Sequence, residues 1–425
     1  MESSAQQTLP LWRRFSIRLE PRLVVPRWLP YAVPIVSLML ALILGMVPML
    51  VQGINPLLGY RDMFLVAFGS PYAISETVMK AIPLMLAGLG VALAFRMLVW
   101  NIGAEGQLYM GAFACCLVAY TWPDAPAWVL LPSIIVAGFV GGALWGAIPG
   151  ALKAYLGVNE IITSLMLNYI AIQWINFLVI GPWQDPTSLG FPRTTRLSES
   201  ATLPTITGAW YLPTVIFLAV MGAVLVYWIA RRVDDRSERL KLGMGLVLLS
   251  TLSLGGIYFL DGRRVHLGFV LSLAGAAAFA VLLSRTRWGY EVRVIGENAR
   301  AAEYAGMSLR RNIVLVMMIS GGMAGLAGMS EIAGNLHLVK RMFSPGYGYT
   351  AIIVAWLAKL NPWGVILVSL LLGGLYRGSD AIPGAPKALG MMLQAVIFFV
   401  LIGGEVLVRY RVRWEGGPEM LVSNE

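Results

Sequence analysis

Histidine and cysteine are almost missing from this chain of 425 residues, with two of each. Cys115 and Cys116 are adjacent inside an apolar run, which excludes a disulfide between distant parts of the chain and leaves them as packing residues. His266 and His337 stand at the ends of different apolar segments, so a metal site built on them is not expected. Charge is scarce too: charged residues make up 13% of the sequence, about half the usual fraction of a soluble domain. No GxxxxGK[ST] phosphate loop occurs, and no lysine directly follows a glycine, so the chain cannot cradle ATP in that way. No nucleophile sits with a base and an orienting group. The expectation is a chain without catalysis or cofactor of its own.

What is present is apolar text. Hydrophobic residues make up 58% of the sequence and the mean hydropathy is +0.73. Apolar runs lie at 31–51, 77–95, 102–121, 128–152, 161–181, 211–230, 242–260, 266–284, 313–333, 348–359, 362–377 and 388–408. They predict an all-α polytopic membrane protein of about 12 transmembrane segments. The short pair at 348–359 and 362–377 reads either as two crossings or as a re-entrant hairpin.

The net charge of +10 is spread between these runs, which points to topology and not to nucleic acid. Arg13, Arg14, Arg18, Arg22 and Arg27 precede the first run, and no secretory cleavage site follows it. The predicted organisation is a cytoplasmic segment 1–30, a membrane domain 31–408 and a cytoplasmic tail 409–425. Residues 182–210, rich in Pro, Ser and Thr, form the largest external loop, either a surface for an extracytoplasmic partner or a plain connection.

The stretch 285–312 is the longest polar interruption of the second half, with six arginines that place it in the cytoplasm. Within it Asn298 is a helix cap, 299–305 holds helix formers with no β-branched residue, and Gly306 is a left-handed stop. A short helix in a cytoplasmic loop is predicted, ready to meet something soluble.

Gly138, Gly142, Gly146 and Gly150 recur at four-residue spacing, and Gly321 with Gly325 repeats the pattern, as close helix packing requires. Pro83 and Pro149 fall inside runs, as kinks or as breaks around a path. Polar residues inside spans are costly, so each is a candidate for function. One set is Asn101, Glu105, Gln107 and Tyr109; Glu105 is either a buried structural carboxylate or part of a pathway. A second set holds Asn168 and Gln173, deep enough to hydrogen-bond a solute, with Tyr169 and Trp174 able to stack on a ring. Hydrogen bonds between helices explain the same residues equally well.

Four motifs in order carry a resemblance: NIGAEGQ at 101–107, GVNEIITSLMLNYIA at 157–171, TRWGYEVRVIGENARAAEYAGM at 286–307 and GYTAIIVAWLAKLNPWGV at 348–365. With them the chain resembles the permease subunits of ABC importers in the ribose, branched-chain amino acid and nucleoside family, closest to the nucleoside or simple-sugar branch. The resemblance implies a type II-like importer permease in the bacterial inner membrane, multi-pass, with both termini cytoplasmic. It implies a second homologous permease, an ATPase chain that binds ATP and Mg, and an extracytoplasmic substrate-binding protein. It also implies coupling to that ATPase through Gly289, Glu291, Gly296, Asn298, Ala301, Ala302, Tyr304 and Gly306. Asn101, Glu105, Gln107, Asn168, Tyr169 and Gln173 would serve the substrate pathway. Nucleosides are the expected cargo, with simple sugars or branched-chain amino acids as alternatives.

Such permeases commonly have about ten spans, so the apolar segments near 242–260 and 266–284 make an apparent extra pair. A stand-alone secondary transporter would need facing ionisable groups at mid-membrane, whereas Lys80, Glu105 and Glu331 lie towards span ends.

Overall fold

Small polar residues and prolines decide where several helices start. The Ser70 hydroxyl accepts the Ala73 amide ahead of Pro71, Asn159 accepts the Ile161 amide, and Asn361 accepts those of Trp363 and Gly364 beside Pro362. The computed structural model describes residues 16–22, 26, 28–206, 264–380 and 387–415. The order begins β1 (Ser16–Pro21), α1 (Leu29–Val51), α2 (Pro56–Phe68), α3 (Pro71–Arg96), α4 (Ala104–Thr121), α5 (Ala127–Leu156) and α6 (Glu160–Ile180). It continues with α7 (Gly268–Arg285), α8 (Arg287–Glu297), α9 (Ala299–Tyr304), α10 (Leu309–Glu331), α11 (Tyr347–Leu357), α12 (Pro362–Ser379), α13 (Lys387–Arg409) and β2 (Tyr410–Glu415).

The helices make a polytopic membrane protein. Five of them, α3, α5, α6, α7 and α10 extended by a π turn to Leu336, are long and apolar enough to cross a bilayer. The helices α1 and α2 add a sixth if they are one interrupted crossing. Of the twelve expected runs, those at 211–230 and 242–260 lie outside the described residues, and α4, α11, α12 and α13 are not among the helices that are long and apolar enough to cross. The helix α2 was not among the expected runs, since Arg61 and Asp62 interrupt its apolar text.

Two units are separable, Met1–Tyr60 with Ile382–Glu425, and Arg61–Ala381. In the first, α1 packs along α13, and they approach so closely that a methyl group on Gly404 would collide with Ser37. The strands β1 and β2 pair antiparallel, Ser16 opposite Glu415 and Pro21 opposite Tyr410. This ribbon is a departure from the all-α expectation, and it brings the two ends of the described chain side by side.

The second unit is built around α3. Its sequence is apolar on every face, which suits a helix surrounded by protein, and it is buried along almost its whole length. The helices α7, α10, α11 and α12 pack on it. Beside it the glycine stripes meet as expected. A methyl on Gly142 would strike the backbone of Gly321 and Gly325, so α5 and α10 touch main chain to main chain.

The runs at 348–359 and 362–377 form a short helix and a longer one, α11 and α12, packed on α3. At 11 residues, α11 is about 16 Å long, half of a hydrocarbon core about 30 Å thick. The loop before it starts at the level of Met79, near the beginning of α3, where Gly334 to His337 share a cavity with that residue. The end of α11 lies at the opposite level, where Trp356 meets Phe95 and Trp100. The loop and α11 together run from one level of α3 to the other. The chain returns as α12, with Val365 beside Gly88 and Gly373 beside Thr77, antiparallel to α3.

The segment after α6 packs on the protein itself. Its described part, 182–206, is folded down onto the end of α10: Thr194 donates its amide to Val339, Leu197 to His337 and Leu203 to Ala333. Within it, the Thr187 hydroxyl and amide bind the Asp185 carboxylate and hold its pKa below the usual range.

Candidate functional site

The polar residues of NIGAEGQ fall at the start of α4, after a turn in which Leu98 takes the left-handed φ of 56°. Asn101 and Gln107 form a paired amide: Asn101 Nδ2 donates to Gln107 Oε1 at 2.8 Å and Gln107 Nε2 donates to Asn101 Oδ1 at 2.9 Å. Asn101 Nδ2 also donates to Ser320 Oγ of α10 at 2.8 Å. From α6, Asn168 Oδ1 accepts the Gly106 amide at 2.8 Å, and its Nδ2 donates to the Ile102 carbonyl at 3.0 Å and the Tyr349 hydroxyl at 3.3 Å. Glu105 Oε2 accepts the Gly348 amide at 2.7 Å. A carboxylate therefore sits at the N-terminus of the half-helix α11, where the helix dipole and free amides favour it. Ser344 Oγ accepts the amides of Gly346 and Tyr347 beside it.

Asn101, Glu105, Gln107 and Asn168 are all buried, at 2% exposure or less. Their hydrogen bonds go to one another and to backbone that the short helix α11 leaves open. They fasten α4, α6, α10 and α11 together. The other two pathway residues are placed differently. Tyr169 is 63% exposed, and Gln173 is exposed on the same face of α6, accepting from Asn176 at 2.9 Å. Trp174 stands beside them, partly exposed, edge-on to Phe113.

The segment 285–312 holds two helices where one was expected. Thr286 caps α8 by accepting the Gly289 amide, and Asn298 caps α9 by accepting the Ala301 amide at 3.0 Å. Gly306 closes α9 at φ +79°, and the Met307 amide returns to the Ala302 carbonyl. Several expected contact residues turn inward. Gly289 lies buried against the Leu282 carbonyl, and Gly296, partly exposed, lies against that of Arg96. Glu291 Oε2 accepts from Asn312 Nδ2 at 2.8 Å, while Asn312 Oδ1 accepts from Trp288 Nε1 at 2.8 Å. Ala302 is fully buried. Ala301, Ala305 and Gly306 are exposed, and Tyr304 projects at 95% exposure. Asn312 and Trp288, which lock the segment to α10, were missed; the sole sequence signal was an amide in the first turn of an apolar helix.

Among the described residues no cluster of His, Cys, Asp or Glu could hold a metal ion. The family described as "Branched-chain amino acid transport system / permease component" matches residues 73–402. The chain is 35% identical over 399 residues to the glucose ABC transporter permease protein TsgB13 of Haloferax volcanii, covering 93% of each. It is 33% identical over 374 residues to the guanosine ABC transporter permease protein NupP of Bacillus subtilis, covering 87% of this chain and 92% of the relative. Against the nucleoside ABC transporter permease protein NupB of Lactococcus lactis it is 29% identical, covering 87% and 90%. No solved structure matches. By its motifs, its membrane helices and these relatives, the chain belongs to the branched-chain amino acid transport system permease family, as a permease subunit of an ABC importer.

Proposed function

We propose that the chain is one of two permeases in an ATP-driven importer that carries nucleosides across the cytoplasmic membrane. The observation that carries the cargo class is the likeness to permeases named for guanosine and nucleosides over nearly the whole chain. The motif order NIGAEGQ then NEIITSLMLNYIA supports it. A sugar reading has its own observation, the relative named for glucose at 35% identity.

A separate ATPase binds ATP and Mg and docks on the exposed face of α9. Tyr304 is its anchor, with Ala301 and Ala305 allowing close approach. Ala302 supports that face from behind. An extracytoplasmic binding protein delivers the solute to the opposite end of the bundle, and both chain ends lie in the cytoplasm. The solute passes between this chain and its homologous partner, along the face of α6 that carries Tyr169, Gln173 and Trp174. An amide such as Gln173 is costly against lipid on a spanning helix, so this face suits a polar path.

The test is reconstitution with the partner permease, ATPase and binding protein, followed by uptake of labelled guanosine, glucose and leucine. ATP-dependent guanosine uptake is expected. Transport by this chain alone without ATPase would sink the importer assignment, and a preference for glucose or leucine would replace the cargo.

A further inference from the structure

At the end of the bundle opposite 285–312, a cavity of about 320 Å³ opens between α3, the π turn after α10 and the folded external segment. Met79, Arg196, Thr205, Arg264, Asn335 and His337 are among its walls, and no carboxylate of the described residues lines it. The two arginines come from distant parts of the chain, both are exposed, and the main chain beside each is paired. Leu197, next to Arg196, donates its amide to the His337 carbonyl at 2.9 Å. Ile206 donates to Val265, next to Arg264, at 2.7 Å, and Thr205 bridges His266. The floor is tight: Gly334 lies so close to the His266 ring that a methyl group would collide with it.

His337 completes the convergence. It takes the left-handed φ of 59°, and its Nδ1 is buried with no hydrogen-bond partner. Burial holds its imidazole below the usual pKa; a hydrogen bond with the Ala333 backbone opposes this, and the charges of Arg196 and Arg264 add to it. Among the described residues neither arginine has an ion-pair partner. A guanidinium stays charged at any accessible pH, so the described walls of the cavity present fixed positive charge and no negative charge. The ligand that balances it has paired oxygens and negative charge, which a guanidinium fork binds through two parallel hydrogen bonds.

We propose that this cavity is an oxyanion site that takes one carboxylate or phosphate group between Arg196, Arg264 and His337. It is separate from the solute path on α6 and does not depend on the identity of the cargo. The group comes either from a free anion or from an acidic side chain presented by an extracytoplasmic protein.

The probe is inorganic phosphate, titrated into the purified full-length chain in phosphatidylcholine nanodiscs at constant ionic strength with chloride, and read by calorimetry. Saturable binding is expected, weakened roughly tenfold or more in Arg196→Gln/Arg264→Gln. Binding that does not saturate, that chloride reproduces, or that the double variant keeps would overturn the proposal. Should the double variant fold poorly, His337→Gln, which keeps both charges, serves in its place, with weaker phosphate binding expected and unchanged binding counting against the site. Where binding is seen, uptake by the complete transporter identifies the source. Inhibition by excess external phosphate, relieved by more binding protein, assigns the group to a docking side chain, and uptake insensitive to phosphate assigns it to a free anion.

Discussion

The start of α4 and the second half of α6 hold similar residues, Asn, Gln and an aromatic hydroxyl, yet the fold uses them in opposite ways. At α4 the amides are buried and bonded within the chain, and they close backbone left open by a half-helix. On α6, Tyr169 and Gln173 face outward with spare hydrogen-bonding capacity. Polarity within a membrane helix marks where backbone or solute needs a partner. Which of the two it is depends on whether the helix next door is whole.

The hardest blow to this contrast is Asn168→Leu. It strips partners from the Gly106 amide, the Ile102 carbonyl and the Tyr349 hydroxyl at once, a loss on the order of 3 kcal/mol. A large fall in the thermal midpoint of the purified chain is expected; a normal midpoint with lost uptake would return Asn168 to the pathway. Next comes Glu105→Ala, which leaves the Gly348 amide without its carboxylate at about 1–3 kcal/mol. Glu105→Gln, still an acceptor, should recover most of that stability.

Gly306→Val is third. The space around Gly306 is open, so its cost is the left-handed backbone alone, about 1–2 kcal/mol. Hydrogen exchange of residues 299–307 should speed up while the membrane helices stay protected. Tyr304→Ala should leave stability within about 0.5 kcal/mol and lower ATPase co-purification and uptake together. Retained co-purification would remove Tyr304 from the contact. The smallest structural effect belongs to Gln173→Leu, with an unchanged midpoint and a shifted KM for the solute; a destabilised chain here would merge the two regions into one class.

Sequence reading succeeds where the cause is local. The caps at Asn298 and Gly306 and the glycine stripes of α5 and α10 were legible, because φ, capping geometry and helical spacing involve only near neighbours. It fails where the partner is distant. The bond from Glu105 to Gly348 joins positions far apart in the chain, so Glu105 offered only its polarity. Ala302 and Ala305 look equivalent in the text, and one turns in while the other turns out. Gly289 and Gly296 answered to the carbonyls of Leu282 and Arg96, neighbours that no spacing rule reveals.

The pairing of α1 with α13 sets an order of events during synthesis. The first helix to emerge waits for the last before its packing surface is covered. At about 5–20 residues per second, the wait is on the order of half a minute. During that time Tyr60 of α2 can cover Gly45, while the surface around Ser37 that meets Gly404 has no partner from α13. A ribosome stalled late in the message therefore leaves an orphan at the front of the protein, and quality control that recognises unpaired α1 would detect a defect at the opposite end of the chain.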